Sequence, residues 1–339
     1  MGDLGLMGMH VPGMTWREMR EAAVLAEELG YSCLTMGESW GEDALTSLAQ
    51  LAAVTSRIRI GTSIVPVFAR SPANLAMSAL NIDRMSGGRF FLGLGTSGRL
   101  VIEDFHGEKF AKPLTRMREY IDIVRKAARG ERLDHDGEFF HIKRFQLRFT
   151  PERASLPIYI AALSPPSLRL TGELADGWLP FMYPRRCLSQ GKALLREGAA
   201  RAGGGERRIA IYPSVPTVVA ADPKEARAGA AWFVSFYLTT MGPLYRRSLA
   251  RQGFEKEVDV VLAANTPRFT GAVPPEAETL LDELTVFGAP AEARARLSEW
   301  HAAGADMPMV FIRPNLSPEE IERTLSAFAP MLKSQRGGR

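Results

Sequence analysis

Side chains able to do chemistry are sparse in this 339-residue chain, and their spacing excludes several kinds of site. Histidine occurs five times, at His10, His106, His135, His141 and His301. None stands at ligand spacing from another His, Cys, Asp or Glu, so no metal centre is expected. There is no G-x-S-x-G elbow, no G-x-x-x-x-G-K-S/T phosphate loop and no H-E-x-x-H pair. Glu38, in Gly37-Glu38-Ser39-Trp40, suits a general acid, an acceptor for a cofactor hydroxyl or ring, or one half of an ion pair. His10 closes an apolar run; it suits proton transfer, and equally a hydrogen-bonded structural role. Gly93-Leu94-Gly95-Thr96-Ser97-Gly98 is a G-x-G-x-x-G run, but no helix opens directly behind it and no acid closes a following strand. That context does not support a dinucleotide fingerprint. Its N–H groups and hydroxyls suit a phosphate or the flat face of a ring, and the alternative is a tight turn filled by small residues.

A scaffold has to gather these residues, and the chain alternates strand-like and helix-like segments. Leu4–His10 reads as a strand; Trp16–Leu29 reads as a helix capped by Thr15 and stopped by Gly30. Strands follow at Tyr31–Met36, Ile58–Val65 and Arg89–Leu94, with helices at Asp43–Thr55, Pro72–Met85 and Pro113–Arg129. Leu133–Phe149, around Asp136-Gly137, reads as an inserted hairpin. Strand Leu156–Ala162, helix Pro165–Ala175 and a strand opening at Gly177 restore the rhythm, and Ile209–Ala220 is a further strand. The pattern loosens from Gly242 to Pro290; helix Ala291–Ala303, strand Met307–Arg313 and helix Ser317–Met331 then close the chain.

Eight strands alternating with helices predict an α/β fold, a (β/α)8 TIM barrel with insertions after strand 4 and between strands 7 and 8. On this reading residues 1–334 form one barrel domain, about 131–155 and 242–290 are the insertions, and 335–339 is a frayed tail. Barrel enzymes work at the C-terminal ends of their strands. That rule selects the turns at Gly37–Trp40, Gly61–Pro66, Gly93–Gly98, Ala161–Pro166 and Pro180–Met182.

The composition, 46% apolar and 24% charged, is that of a soluble globular protein. No apolar run approaches the ~18–20 residues that span a bilayer, and the first residues lack a secretory signal, so neither membrane nor export is expected. Two cysteines, Cys33 and Cys187, read as reduced thiols in the cytoplasm. The net charge of +4 comes from scattered residues and pairs rather than blocks. It speaks against a nucleic-acid partner; a positive rim that attracts an anionic small molecule fits it, and a merely solvated surface fits best.

Several blocks together resemble the luciferase-like monooxygenase superfamily: Gly61-Thr62-Ser63-Ile64-Val65-Pro66, Arg70-Ser71-Pro72-Ala73, and Asp83-Arg84-Met85-Ser86-Gly87-Gly88-Arg89-Phe90-Phe91-Leu92-Gly93-Leu94-Gly95. Pro157-Ile158-Tyr159-Ile160-Ala161-Ala162 and Ala175-Asp176-Gly177-Trp178 extend the likeness, which covers most of residues 1–200 and is faint afterwards. Glu38–Ala44, Gly95–Gly98 and Phe105-His106-Gly107 look more like the coenzyme F420-dependent oxidoreductases, the methylenetetrahydromethanopterin reductase type, than the FMN-dependent monooxygenases. The resemblance implies a deazaflavin at the mouth of the barrel, backed by a bulge with a non-proline cis peptide at Ser63-Ile64. It further implies that Gly95, Thr96, Ser97 and Gly98, with Ala162, Leu163 and Ser164, hold the ribityl and phosphate part.

Sugar-phosphate and alcohol dehydrogenases of that branch carry Asp-His after the second strand, where this chain has Glu38 and Ser39. Reduction of an unsaturated C=N or C=C bond of a small molecule therefore suits it better than alcohol oxidation. Glu38, His10 and Ser39 are the candidate catalytic residues, and Trp40, Phe68, His106 and Phe181 would line the substrate pocket together with the 242–290 segment. An FMN-dependent monooxygenase served by a separate reductase is the alternative, and a non-catalytic flavin-binding protein another. Apolar residues on the second and third helices (Leu45, Leu48, Ala49, Met77, Leu80) suit a homodimer face, as the resemblance also implies, and covering by neighbouring helices explains them equally well.

Overall fold

The computed structural model describes residues 2–8, 14–203 and 207–332, so His10 and the tail 335–339 lie outside the described residues. Strand β1 (Gly5–Met7) leads to helix α1 (Trp16–Leu29). Thr15 and Glu18 form a reciprocal cap at its start, and Gly30, at φ +99°, closes it. β2 (Cys33–Met36) is followed by α2 (Ala44–Val54), which begins where the Asp43 carboxylate accepts from the Thr46 N–H. β3 (Arg59–Thr62) and β4 (Val65–Pro66) are one run interrupted at Ser63-Ile64. α3 (Pro72–Met85), capped by Ser71, then leads into β5 (Phe90–Gly95). A π-helical turn at Val101–Phe105 precedes α4 (Pro113–Ala128).

β6 (Leu133–Asp136) and β7 (His141–Phe145) pair antiparallel as a separate hairpin, as the Asp136-Gly137 signal predicts. The chain continues through β8 (Ile158–Ile160), α5 (Pro165–Leu174), β9 (Gly177–Trp178) and α6 (Leu188–Arg201). β10 (Ala210–Ile211) and β11 (Ser214–Val219) precede α7 (Pro223–Thr240), α8 (Pro243–Arg251), α9 (Glu255–Ala264) and α10 (Glu278–Leu284). β12 (Val286–Gly288), α11 (Pro290–Ala302), β13 (Met309–Ile312) and α12 (Pro318–Ala327) complete the described fold.

The main sheet is parallel, in the order β10-β9-β8-β5-β3-β2-β1-β13-β11-β12, with β4 also beside β5. Only Tyr212 and Pro213 separate β10 at one end from β11 beside β13, so the chain draws the sheet round on itself. Helices pack outside the curled wall. Inside it, Cys33, Phe91, Tyr159, Leu179, Tyr212, Met307 and Met309 are buried against one another and fill the lumen. This is the curled parallel α/β architecture that the alternation predicts.

Two details of the strands differ from expectation. Ile209–Ala220 is two strands rather than one, because Pro213 has no N–H to continue the ladder. The segment 242–290, where prolines punctuate short helical pieces, holds α8, α9 and α10 and in addition an unexpected strand, β12, which pairs with β11. On the expected dimer face Leu45, Leu48 and Leu80 are buried within the protomer, where α2 packs on α3, and Met77 alone of the five is exposed.

Candidate active site

The turns at the C-terminal ends of the parallel strands meet around the β3–β4 interruption. Gly61 lies opposite Phe91 and Val65 opposite Leu94, so four steps along β3–β4 match three along β5. The extra residue is a bulge. The Ser63-Ile64 peptide within it is cis, as the resemblance implies. Backbone bonds fix it on one side: the Ser63 N–H donates to Met36 O at 2.7 Å, and Ile64 O accepts the Glu38 N–H at 2.9 Å. On the other side the Thr62 hydroxyl donates to Gly93 O at 2.7 Å and accepts the Gly93 N–H at 2.8 Å.

The neighbours of the bulge are glycines for lack of space. A Cβ on Gly93 would collide with Thr62 O, one on Gly37 would stand 2.7 Å from Ser63 O, and one on Gly95 would meet the Ile64 side chain at 2.7 Å. Ile64 thus rests over Gly95, beside Met7 and Ala161 at the top of the lumen. Gly98 differs, because a Cβ there would face open space. The turn Thr96-Ser97-Gly98, with Ser97 left-handed at φ +57°, uses none of its three N–H groups in a loop hydrogen bond. Three peptide donors and the Ser97 hydroxyl there are open to an acceptor, while the Thr96 hydroxyl donates to Ser97 O at 3.4 Å.

The second expected cofactor loop is built differently. Ala162 is buried, and its carbonyl accepts the Trp178 indole N–H at 2.9 Å. Ser164 caps α5: its oxygen accepts the Ser167 N–H, while its own N–H donates to the Ser167 hydroxyl at 3.0 Å. Pro165 and Pro166 have no N–H. The first turn of α5 therefore keeps no free peptide donor for an anion, and what this loop can offer is hydroxyl and carbonyl oxygen. Ser248 and Arg251 of α8 both approach Leu163 O at 3.4 Å, which ties that helix to the loop.

Glu38 is committed on both oxygens. Oε1 accepts from Arg70 at 2.6 Å and Oε2 from the Ala44 N–H at 3.3 Å, while Arg70 also pairs with Asp43. The cluster fastens the turn after β2 to the start of α3. Arg70 was quoted from the sequence only as part of the resemblance, and an acid after one strand with a base after the next was the signal for this pair. Ser39 and Trp40 are exposed on the same turn. Phe68 is buried, with its ring stacked on Phe110 and covered by the Arg116 guanidinium, so its faces are taken by protein. His106 follows the π-helical turn; its Nε2 is shielded from solvent and makes no hydrogen bond to any described residue. Phe181 stands at the end of the β9 segment, where its ring meets Phe311 of β13.

Neither cysteine is placed for chemistry. Both are free and buried, and burial pushes the Cys33 thiol up to about 12. A cavity of about 690 Å³ opens at the opposite, N-terminal end of the strands, lined by Asp3, Arg57, Arg59, Asp176, Arg208 and Asp306 among others. Its charges are largely tied within the protein: Arg208 pairs with Asp306, Asp176 with Arg207, and Arg59 donates to the Tyr212 hydroxyl.

The model of the family described as luciferase-like monooxygenase matches residues 4–307. The chain belongs to that family. A Mycobacterium tuberculosis protein provisionally named as a coenzyme F420-dependent oxidoreductase is 34% identical over 330 residues, covering 91% of this chain and 93% of the relative. The 5,10-methylenetetrahydromethanopterin reductase of Archaeoglobus fulgidus is 29% identical over 301 residues, covering 87% and 89%. Among solved structures, the coenzyme F420-dependent tetrahydromethanopterin reductase of Methanopyrus kandleri superposes with a TM-score of 0.83 over 98% of this chain and 99% of its own, at 20% identity. That structural likeness establishes the shared family fold, in which the bulge and its three packing glycines stand at the mouth.

Proposed function

We propose that this luciferase-like family member is a coenzyme F420-dependent oxidoreductase, transferring a hydride between the deazaflavin and a small organic molecule and reducing a C=N or C=C bond. The observation that carries the reading is the Thr96-Ser97-Gly98 turn. Its unclaimed N–H groups and open space lie one residue from the Gly95–Ile64 contact, so the site offers donors for a polar chain next to an apolar ledge for a flat ring. A relative whose name gives F420 as its coenzyme, covering 91% of this chain, supports the choice of ring. When bound, the reduced deazaflavin supplies the hydride, and the protein's share is to position and to exclude water. Gly95, Thr96, Ser97 and Gly98 would bind the polar chain, Ser63 and Ile64 would back the ring, and Ala162, Leu163 and Ser164 would border it. Glu38 acts as a positioning residue through Arg70, which leaves the proton to His10 or to water.

We read the scaffold as a (β/α)8 barrel of one domain, working as a cytoplasmic homodimer; among the described residues no helix is long and apolar enough to cross a membrane. The test is a fluorescence titration of the purified protein with F420 and with FMN separately. Micromolar or tighter binding of F420 alone is expected. Binding of FMN alone overturns the assignment and redirects the search to oxygen-dependent chemistry with a partner reductase.

A further inference from the structure

Phe181 is the centre of an aromatic cluster at the mouth. Tyr237, near the end of α7, meets it edge-on with ring centroids 4.6 Å apart, and Tyr245 of α8 meets it at 5.6 Å and 90°. The two tyrosine rings stand 5.5 Å apart at 89°, and Phe311 closes the group 5.6 Å from Phe181. The chain has seven tyrosines, and five have a partner for the phenol. Tyr31 donates to Leu325 O, Tyr120 to the Arg70 and Ser71 carbonyls, and Tyr212 accepts from Arg59. Tyr159 and Tyr183 each have a polar side chain beside the phenol, Tyr212 and Gln252 respectively. Tyr237 and Tyr245 alone have none among the described residues. Both are half-buried, and neither hydroxyl is sealed from solvent. Bonded to nothing in the chain and reachable from the mouth, the two neighbouring hydroxyls are free to exchange water for an acceptor on a bound molecule.

The character of that acceptor follows from the wall. From Ala228 to Tyr245 the sequence has no Asp, Glu, Lys, Arg or His. The next residue, Arg246, spends its guanidinium on the Leu238 and Thr239 carbonyls at the end of α7. Between Ala228 and Tyr245 the wall itself offers no charge to neutralise a carboxylate or phosphate, whereas apolar rings surround two donors. Burial holds both phenols protonated well above neutral pH, so they donate at any working pH.

We propose that Tyr237 and Tyr245 are specificity-determining residues that donate hydrogen bonds to the carbonyl oxygen of an uncharged, largely apolar cyclic substrate packed against Phe181 and Phe311. This rests on the F420 reading above. A cyclic enone serves as the probe: its β-carbon receives the hydride from reduced F420 and its α-carbon a proton from water, so 2-cyclohexen-1-one becomes cyclohexanone and F420 is left oxidised.

The experiment compares the wild-type holoenzyme with Tyr237→Phe, Tyr245→Phe and the double variant, all of which keep the ring packing. Four quantities are read: F420 affinity by fluorescence, KM and kcat for 2-cyclohexen-1-one, and the infrared carbonyl stretch of the enone bound to the oxidised holoenzyme. Each single variant is expected to raise KM about tenfold with kcat little changed, the loss of one hydrogen bond. The carbonyl band should move back toward its unbonded frequency, with F420 affinity untouched. An unchanged KM and carbonyl band in the double variant overturns the proposal. So does a wild-type enzyme that binds F420 yet leaves the enone alone or takes glucose 6-phosphate equally well. Failure to bind F420 at all instead removes the reading beneath it.

Discussion

Gly93 and Gly98 lie five residues apart in one glycine run and do opposite work. A side chain at Gly93 would run into the Thr62 carbonyl inside the bulge, while one at Gly98 would enter open space. Gly93→Ala is therefore expected to cost at least about 3 kcal/mol, the overpacking of a site that cannot relax without moving backbone. Gly98→Ala should leave stability within about 0.5 kcal/mol and weaken cofactor binding instead. Urea unfolding of the two variants, with F420 titration of the second, checks both; a destabilised Gly98→Ala with normal affinity would refute the division. The same pair shows what the sequence could say about the site. The run was legible as a place where backbone approaches something closely. Which glycine serves a ligand and which serves packing was not, because that depends on β3, thirty residues away. Glu38 has the same history: its type and position were readable, whereas its commitment to Arg70 required the fold. The Ser164 loop is a third case: the resemblance implies it at the cofactor, and only the fold shows that Ser164 and Ser167 also cap α5.

The hairpin β6–β7 was legible as an element from Asp136-Gly137 and its flanking strands, yet the residue that holds its turn lies outside it. The N–H groups of Glu138, Phe139 and Phe140 all donate to the carboxylate of Glu119 on α4, and His135 approaches at 3.3 Å. Burial alone would push this carboxyl up; the bonds from Phe139, Glu138, His135 and Phe140 outweigh it and hold it below the usual range. A carboxyl depressed on folding contributes stability that is complete above its unfolded value, about 4.3, and is lost as pH falls through the lower folded value. Glu119→Gln should thus cost roughly 1–3 kcal/mol at pH 7, the worth of hydrogen bonds to a buried charge, and progressively less at acid pH. Urea midpoints at pH 7 and pH 3.5 test it; a penalty equal at both would show that the carboxylate charge is not what holds the turn.

The most family-specific stretch, Ser86 to Gly95, together with Asp83 just ahead of it, also turns out to be mainly an element-level fastening. Asp83 is fully buried against Arg153, at the exit of the hairpin segment, and accepts the Phe90 N–H. Arg89 donates to the Ala52, Thr55, Ile58 and Ser86 carbonyls. Neither side chain is free for chemistry, so the motif identifies the family through its architecture. Helix α6 was missed for a related reason. It starts without a side-chain cap, and its Gly191 and Gly198, which lower helix propensity, are there because α5 and Trp178 press against it.

At the scale of the whole molecule the alternation of strand and helix carried most of the fold, since a curled parallel sheet requires periodic crossovers and each leaves its own apolar pattern. Surfaces are different, because an apolar residue on a helix reads alike whether a neighbouring helix or a second protomer covers it. Leu45, Leu48 and Leu80 proved to be covered from within. What stays outside on α3 is Met77, 52% exposed, and Met85, 53% exposed, among Asn74, Asn81 and Arg84. A homodimer through this face would thus be small-cored and polar-rimmed, the type of interface in which one or two buried anchors carry most of the affinity. Met77→Glu places a charge at its centre, and two such charges face each other across a twofold axis in a water-poor contact. Light scattering at micromolar concentration should then give a dimer for the wild type and a monomer for Met77→Glu, with F420 affinity unchanged because α3 contributes no donor to the cofactor turn. A wild-type monomer removes the dimer, and a dimer that survives the glutamate moves its interface to another face.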